Sequence, residues 1–565
     1  MRSDPQAVAG THPFVRLFPL GGLGEIGMNM LAIESEGKLL LVDCGLMFPE
    51  AYMMGIDLVL PEIAWLEKRR SDIVGLVLTH GHEDHIGAVP YLWHKLGQPR
   101  IYGTCLTLGL LYNKLKEYAL DALVELETLV PRQPVVLGPF EVEPFRVAHS
   151  IVDGVGYAIN TAAGVLVHTG DFKLDQTPVD GQKTDLARLA ELGERGVLLL
   201  LADSTNVENE GYTLSESTVG KAFAEILPQC PRRVIVATFS SNIHRIQQVA
   251  DAARASGRKI LVNGRSMISN IAIARQLGYL RIDEEQFVEL REMREMDPAQ
   301  VLILTTGSQG EPLSSLMRIA LGDHKQIQIE EGDRVILSSK FIPGNEKAIS
   351  DLINNLYRRG AEVYYEKTSE IHVSGHAGRE ELKLLHNLVQ SRYFVPVHGE
   401  YRHLVKHRQL ALELGLPPQN SLVLSNGEIL KISAAGLERE GNFESGRVFV
   451  DGKGVGDVGV VELRDRRHLA NHGLVIVMLA VHQSTGEIVF GPEIFTRGFI
   501  PEDEQSGEQL LEEARYQVRE FLAEQSLGAI ADWEELRVNL RKVLRRLFNR
   551  TLGRRPLILP LVLEL

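Results

Sequence analysis

The run Thr79-His80-Gly81-His82-Glu83-Asp84-His85 constrains this chain more than any other stretch. It follows the apolar segment 73–78, which reads as a buried strand. Three histidines and two carboxylates fall within six consecutive residues, 80–85. Imidazole and carboxylate are the usual ligands of borderline divalent metals such as zinc and manganese. A loop at a strand end is free of helical and strand periodicity, so several of these side chains can converge on one point. A merely solvated loop would favour Lys, Ser and Gly instead. The run reads as a metal site.

At 565 residues the chain is too long for one hydrophobic core, so several domains are expected. Cys44, Cys105 and Cys230 are too few and too scattered for a disulfide framework or a thiol metal site, which points to a reducing compartment. The opening residues lack the apolar core of a signal peptide, and no apolar run reaches membrane-spanning length. A cytoplasmic protein with no membrane partner is the expectation. The net charge of −14 excludes little, because carboxylates committed to metal inflate it and local faces decide nucleic-acid binding.

Gly22-Leu23-Gly24-Glu25-Ile26-Gly27 matches a dinucleotide fingerprint, with Asp43 at a suitable distance downstream. A true fingerprint opens a helix, whereas 28–33 and 39–42 are apolar runs around a Gly-containing turn. That is a hairpin pattern. Helices are expected at 86–96 and 106–128, and strands at 134–137, 155–160, 165–169 and 197–202. Hairpins interleaved with helices suggest an α/β sandwich. From about 208 the pattern becomes a regular alternation of parallel type. It has strands at 233–238, 259–262, 301–305, 334–338 and 361–365, and helices at 244–255, 268–277 and 346–358. The pattern alone separates a sandwich-like first part, an α/β domain from about 209, a Gly-rich linker at 451–465 and a tail at 466–565. The last of these carries helices at 508–524 and 533–548, and a basic run from Arg541-Lys542 to Arg554-Arg555 that could meet a polyanion or simply face solvent.

His149, Asp171 and His398 each lie just past a strand-like run, where side chains can point into a shared cleft. With the 80–85 run they make up the ligands of a binuclear site. His80, His82 and His149 suit one ion; Asp84, His85 and His398 suit the other; Asp171 would bridge them.

The run His-x-His-x-Asp-His, with Asp43, His149 and Asp171 at strand ends, resembles the metallo-β-lactamase superfamily and its αββα sandwich. Asp203 in Leu-Ala-Asp-Ser-Thr-Asn, His376 in Ser-Gly-His-Ala and His398 in Pro-Val-His-Gly resemble the further motifs of the β-CASP nucleases. Those enzymes insert an α/β domain into the sandwich. The closest resemblance is to the bacterial ribonuclease J family, through Gly-Gly-x-Gly-Glu-Ile-Gly-x-Asn at 21–29, Phe-Ser-Ser-Asn-Ile-His-Arg at 239–245, Thr-Gly-Ser-Gln-Gly-Glu-Pro at 306–312 and Ile-Pro-Gly-Asn-Glu at 342–346. It spans about 13–460 closely, and the tail in layout only. The resemblance implies that the sandwich comprises 1–208 and 360–450, that 209–359 is inserted into it, and that the tail is a small α/β domain.

The resemblance implies that His80, His82, Asp84, His85, His149, Asp171 and His398 hold two divalent ions, and that Asp43 orients a histidine ligand. Zinc comes first, with manganese or magnesium accepted by the same ligands. It implies that Asp203 and His376 protonate the leaving 3′ oxygen, and that Asp84 takes part in the chemistry. Ser240, Ser241, Asn242 and the segment His372, Val373, Ser374, Gly375, His376 would line the phosphate groove. Phe48 would stack on a base, unless it is a loop anchor packed on the core. A structural calcium ion would sit at the Gly55 carbonyl, Asp57 and Asp451. The implied activity is 5′-to-3′ exonucleolysis of single-stranded, 5′-monophosphorylated RNA with some endonuclease action, in RNA maturation and decay. The implied assembly is a homodimer or tetramer formed through the C-terminal domain. A hydrolase of small thioesters or lactams on the same sandwich would need neither the insert nor Asp203 and His376. A DNA nuclease or an inactive RNA-binding scaffold would be the other rivals.

Overall fold

The structure, a computed structural model, describes residues 12–50, 52–311, 314–339, 341, 345–366, 369–482, 488–499, 504–524 and 533–565. Two compact units result, Met1–Phe48 with Leu58–Val448, and Pro49–Asp57 with Phe449–Leu565.

In the first unit an eight-stranded and a six-stranded sheet pack face to face. Ile33, Leu40, Val42 and Val77 of the larger sheet share one core with Tyr157, Ile159, Leu166 and Leu199 of the smaller. The other face of the smaller sheet is also covered. Phe145, Val167 and Leu200 pack there against Leu189, Leu382, Leu385 and Leu410 of the helices Leu186–Arg195, Arg379–Val389 and Tyr401–Glu413. This explains the unbroken apolar run of the strand Val197–Asp203: Leu199 and Leu201 enter one core, and Leu200 and Ala202 the other.

The strand directions gather the chemistry at one edge. Gly164–His168, Val197–Asp203 and Tyr393–Val397 pair in parallel, so Asp171, Asp203 and His398 emerge at the same end. Phe140–Arg146, two antiparallel steps away, points the same way and delivers His149 there. In the larger sheet, Lys38–Val42 and Ile73–Val77 are parallel and deliver Asp43 and the 80–85 run.

The insert is a five-stranded parallel sheet in the order Lys259–Val262, Val301–Thr305, Val234–Ala237, Arg334–Leu337, Glu362–Tyr364. Helix Arg265–Gln276 lies on helix Cys105–Glu117 of the sandwich, where Gly109 admits Ile273 and Leu277.

The second unit contains the sheet Ile488–Arg497, Leu474–Val481, Leu557–Glu564, with helices Glu504–Glu524 and Trp533–Leu552 packed on one face through Ala514, Val518, Leu540 and Leu544. The opposite face leaves Phe490, Phe495, Leu559, Leu561 and Leu563 exposed. Arg541, Lys542, Arg545 and Arg546 lie on the solvent side of the second helix. Among the described residues, no helix is long and apolar enough to cross a membrane.

Several expectations need correction. The helix expected at 106–128 ends at Glu117, because Ala119 turns with positive φ and Leu126–Thr128 pairs as a strand with Ile101–Gly103. The helix expected at 86–96 is two short pieces, Glu83–Ile86 and Val89–Leu92, and Pro90, which has no N–H to donate, opens the second. Helix Val460–His472 begins inside the stretch expected to be linker. As the hairpin pattern requires, the Gly-rich 22–27 segment opens no helix. Leu23–Gly24 pairs with Gly399–Glu400, beside the metal-ligand candidate His398. Residues 342–344 and Pro312 of the quoted motifs lie outside the described residues.

Candidate metal centre

Residues 80–85 form a tight turn running into one helical turn, Glu83–Ile86. Asp43, itself at φ 61°, holds this turn from behind. Its carboxylate accepts the Thr79 N–H and hydroxyl, each at 2.8 Å, and lies 2.8 Å from His85 Nδ1. The other side of the turn rests on Asn29. Its amide nitrogen lies 3.1 Å from the Asp84 carbonyl, 3.3 Å from the Asp84 carboxylate and 3.1 Å from His85 Nε2. Asn29 closes the Gly-Gly-x-Gly-Glu-Ile-Gly-x-Asn motif of 21–29, which by itself gives the residue no role. Glycines leave room for its contacts. A Cβ on Gly22 would lie 2.4 Å from Asn29 Oδ1, and one on Gly45 would lie 1.6 Å from the Asp84 carbonyl.

Ligand atoms of His80, His82, His149 and Asp171 all lie within 4.8 Å of one another, and so do those of Asp84, His85, Asp171 and His398. Asp171 belongs to both groups. A third group, Asp203, His376 and His398, adjoins them, with His376 Nδ1 2.7 Å from the Asp203 carboxylate. His80, His85, His149, Asp171, Asp203 and His398 are buried.

Charge decides what such a cluster can hold. Burial holds His80 and His149 well below the usual imidazole range and lowers His82 to about 4, leaving neutral rings with donor lone pairs. For His398 burial acts downward but the Asp171 carboxylate outweighs it, lifting the group to about 9; His85 is raised for the same reason. The carboxylates thus demand positive charge from their neighbours. Divalent cations meet that demand with N and O donors of the right type, so the residues fit two ions sharing Asp171.

Gly375 sits where only glycine fits, since a Cβ would lie 2.6 Å from His149 Cε1, and its carbonyl lies 2.7 Å from His149 Nδ1. Gly375→Ala should therefore displace the ring and lower the kcat of hydrolysis at this centre by about 100-fold, the scale of a misplacement near 1 Å. Steady-state kinetics with the metal content measured alongside checks this; an unchanged kcat would contradict it.

Val373 is buried, and His372 and Ser374 are half-buried. Ser240 and Ser241 lie before helix Ile243–Ala255, whose N-cap is Asn242; the Asn242 side chain accepts the Arg245 N–H and so caps the helix. Phe48 is 60% exposed and is no core anchor. At the expected calcium position, the Arg466 guanidinium donates to the Gly55 carbonyl at 3.2 Å and to Asp451 at 2.5 Å, while Asp57 accepts the Gly452 N–H. The Arg466 guanidinium thus lies among the oxygens expected to bind calcium.

Facing sheets with histidines and aspartates converging at one edge define a metallohydrolase of the metallo-β-lactamase superfamily, whose family model matches residues 24–175. Residues 231–356 match the ribonuclease J β-CASP domain, 360–420 the RNA specificity domain of zinc-dependent metallo-hydrolases, and 461–565 the ribonuclease J C-terminal domain. The chain belongs to the ribonuclease J family. It is 41% identical to ribonuclease J2 of Bacillus subtilis (strain 168) over 97% of this chain and 98% of that one. It is 42% identical to ribonuclease J of Thermus thermophilus, over 98% of this chain and 96% of that one. A crystal structure of a protein of unknown function from Enterococcus faecalis V583 shares the fold, with TM-score 0.53 and 14% identity over 74% of this chain and 100% of that one. The chain is a metal-dependent nuclease that binds and processes RNA.

Proposed function

We propose that the chain degrades single-stranded RNA 5′ to 3′ from a 5′-monophosphate end, with some endonucleolytic cleavage, leaving 5′-phosphate products. The observation that carries this reading is the Asp203–His376 pair, 2.7 Å apart, beside two ligand groups that share Asp171. His80, His82, His149 and Asp171 would hold one ion, and Asp84, His85, Asp171 and His398 the other. When bound, the ions supply Lewis acidity and a water acidic enough to attack phosphorus near neutral pH. The residues of the chain do the rest. Asp43 and Asn29 keep Asp84 and His85 in place. Asp203 orients the His376 ring and favours its protonated form. As the water oxygen bonds to phosphorus and the bond from phosphorus to the 3′ oxygen breaks, His376 gives its proton to that oxygen. The groove residues 372–375, Ser240 and Ser241 would hold phosphates with hydroxyls and backbone N–H groups, and exposed Phe48 offers a ring for base stacking.

Zinc is the favoured metal because histidine nitrogens dominate the ligand set, and manganese or magnesium suits the carboxylates. The apolar sheet face with Phe490, Phe495 and Leu561 supports self-association as a homodimer or tetramer. A cytoplasmic place in RNA maturation and decay completes the proposal. Product analysis on 5′-monophosphorylated against 5′-triphosphorylated RNA, with zinc and manganese tested separately, is the experiment. Mononucleotides released only from the monophosphorylated substrate are expected. Internal fragments alone would overturn the exonuclease reading.

A further inference from the structure

Arg245 is fully buried in the insert, on helix Ile243–Ala255, and belongs to none of the candidate metal-ligand groups. Its Nε donates to buried Glu216 at 2.6 Å. Its Nη1 lies 2.9 Å from the Ser338 carbonyl, 2.6 Å from Ser338 Oγ and 3.1 Å from the Ile371 carbonyl. Ser338 Oγ in turn donates to the same Ile371 carbonyl at 2.6 Å. One guanidinium therefore joins an insert helix, the end of an insert strand and the start of the segment 371–376.

Among the described residues, that segment is fastened at both ends and in its middle. At its far end the His376 carbonyl accepts Thr213 Oγ1 at 2.8 Å and Asn206 Nδ2 at 3.2 Å, and the His376 ring meets Asp203. In the middle, the Gly375 carbonyl meets His149. Its near end is held at Ile371, through Arg245 and Ser338. Glu216 is anchored independently, its N–H donating to Asp175 at 2.9 Å and its carbonyl accepting Gln248 Nε2 at 2.7 Å. A buried ion pair is a costly way to fill a helix–sheet gap, which apolar side chains fill at least as well. A planar fork that reaches several acceptors at fixed angles does what neither an apolar side chain nor lysine can.

We infer that Arg245 is a positioning residue: by fixing the Ile371 end of segment 371–376 it sets where His376 meets the scissile phosphodiester. This rests on the reading of Asp203–His376 as the proton donor.

The test compares two RNA oligonucleotides that differ at one atom, oxygen or sulphur at the 3′ bridging position of the scissile bond. A thiolate leaves without needing a proton, so loss of proton-donor placement slows only the oxygen substrate. Arg245→Met with Glu216→Met removes the pair without stranding a buried charge. Kcat on the oxygen substrate should fall at least about 10-fold and on the sulphur substrate less than about 3-fold, with the metal content unchanged. Ser338→Ala should give the same selectivity at smaller amplitude, and it carries the test if the double variant does not fold. His376→Ala is the reference for full selectivity. Equal losses on both substrates, or an unaffected oxygen rate, would overturn the role of Arg245 while His376→Ala stays selective. If His376→Ala is itself unselective, the proton-donor reading falls, and the inference falls with it.

Discussion

Replacing His80 and His82 together by alanine should abolish hydrolysis of single-stranded RNA, with a loss greater than about 10⁴-fold, while the protein stays folded. The two rings belong to the ligand group that includes His149 and Asp171, and neither lies in the apolar cores that hold the sandwich together. Their removal would take away both the Lewis acidity and the acidified water, so almost none of the rate enhancement would survive. The fold should persist because both rings are held neutral by burial, and removing them strands no histidine charge. Kinetics on a labelled oligonucleotide together with thermal unfolding checks this. Activity within tenfold of the parent protein would contradict the metal reading.

The second large effect falls on the proton donor. His376→Ala and Asp203→Asn should each lower kcat by about 10²–10⁴-fold, the usual weight of general acid catalysis. The pH dependence distinguishes them. Burial acts to lower the His376 pKa, but the Asp203 carboxylate outweighs it and the net shift is upward. A general acid works while protonated, so activity should be lost as pH rises through that raised pKa. In Asp203→Asn burial acts with the carboxylate gone, and the alkaline limb should move to lower pH by about one unit or more. Kcat measured across the pH range decides the matter; a limb that stays in place would separate Asp203 from His376.

Much of the centre was legible because its donors are chemically rare and sit at strand ends. His80 to His85 is a continuous run, and His149, Asp171 and His398 each follow an apolar strand. The parallel insert was legible for a similar reason, since strands such as Lys259–Val262 are short apolar runs spaced by helices. What escaped were features set by tertiary context. Helix Cys105–Glu117 stops where a turn frees Leu126–Thr128 to join the sheet edge, although helical periodicity alone would carry it further. Asn29 and Arg245 stand inside the motifs at 21–29 and 239–245, but only the three-dimensional arrangement shows their roles, with the Asp84 turn resting on one and segment 371–376 on the other. At the expected calcium position, nothing near Gly55, Asp57 or Asp451 in the sequence announces Arg466, which is brought there by helix Val460–His472.

The binuclear centre depends on the carboxylate of Asp171, which both ligand groups share. Metal analysis of zinc-loaded, desalted protein tests it directly. About two ions per chain are expected in the parent protein and one or fewer in Asp171→Ala, because Asp171 stands in both ligand groups. A single ion in the parent protein, or two in Asp171→Ala, would contradict the binuclear centre.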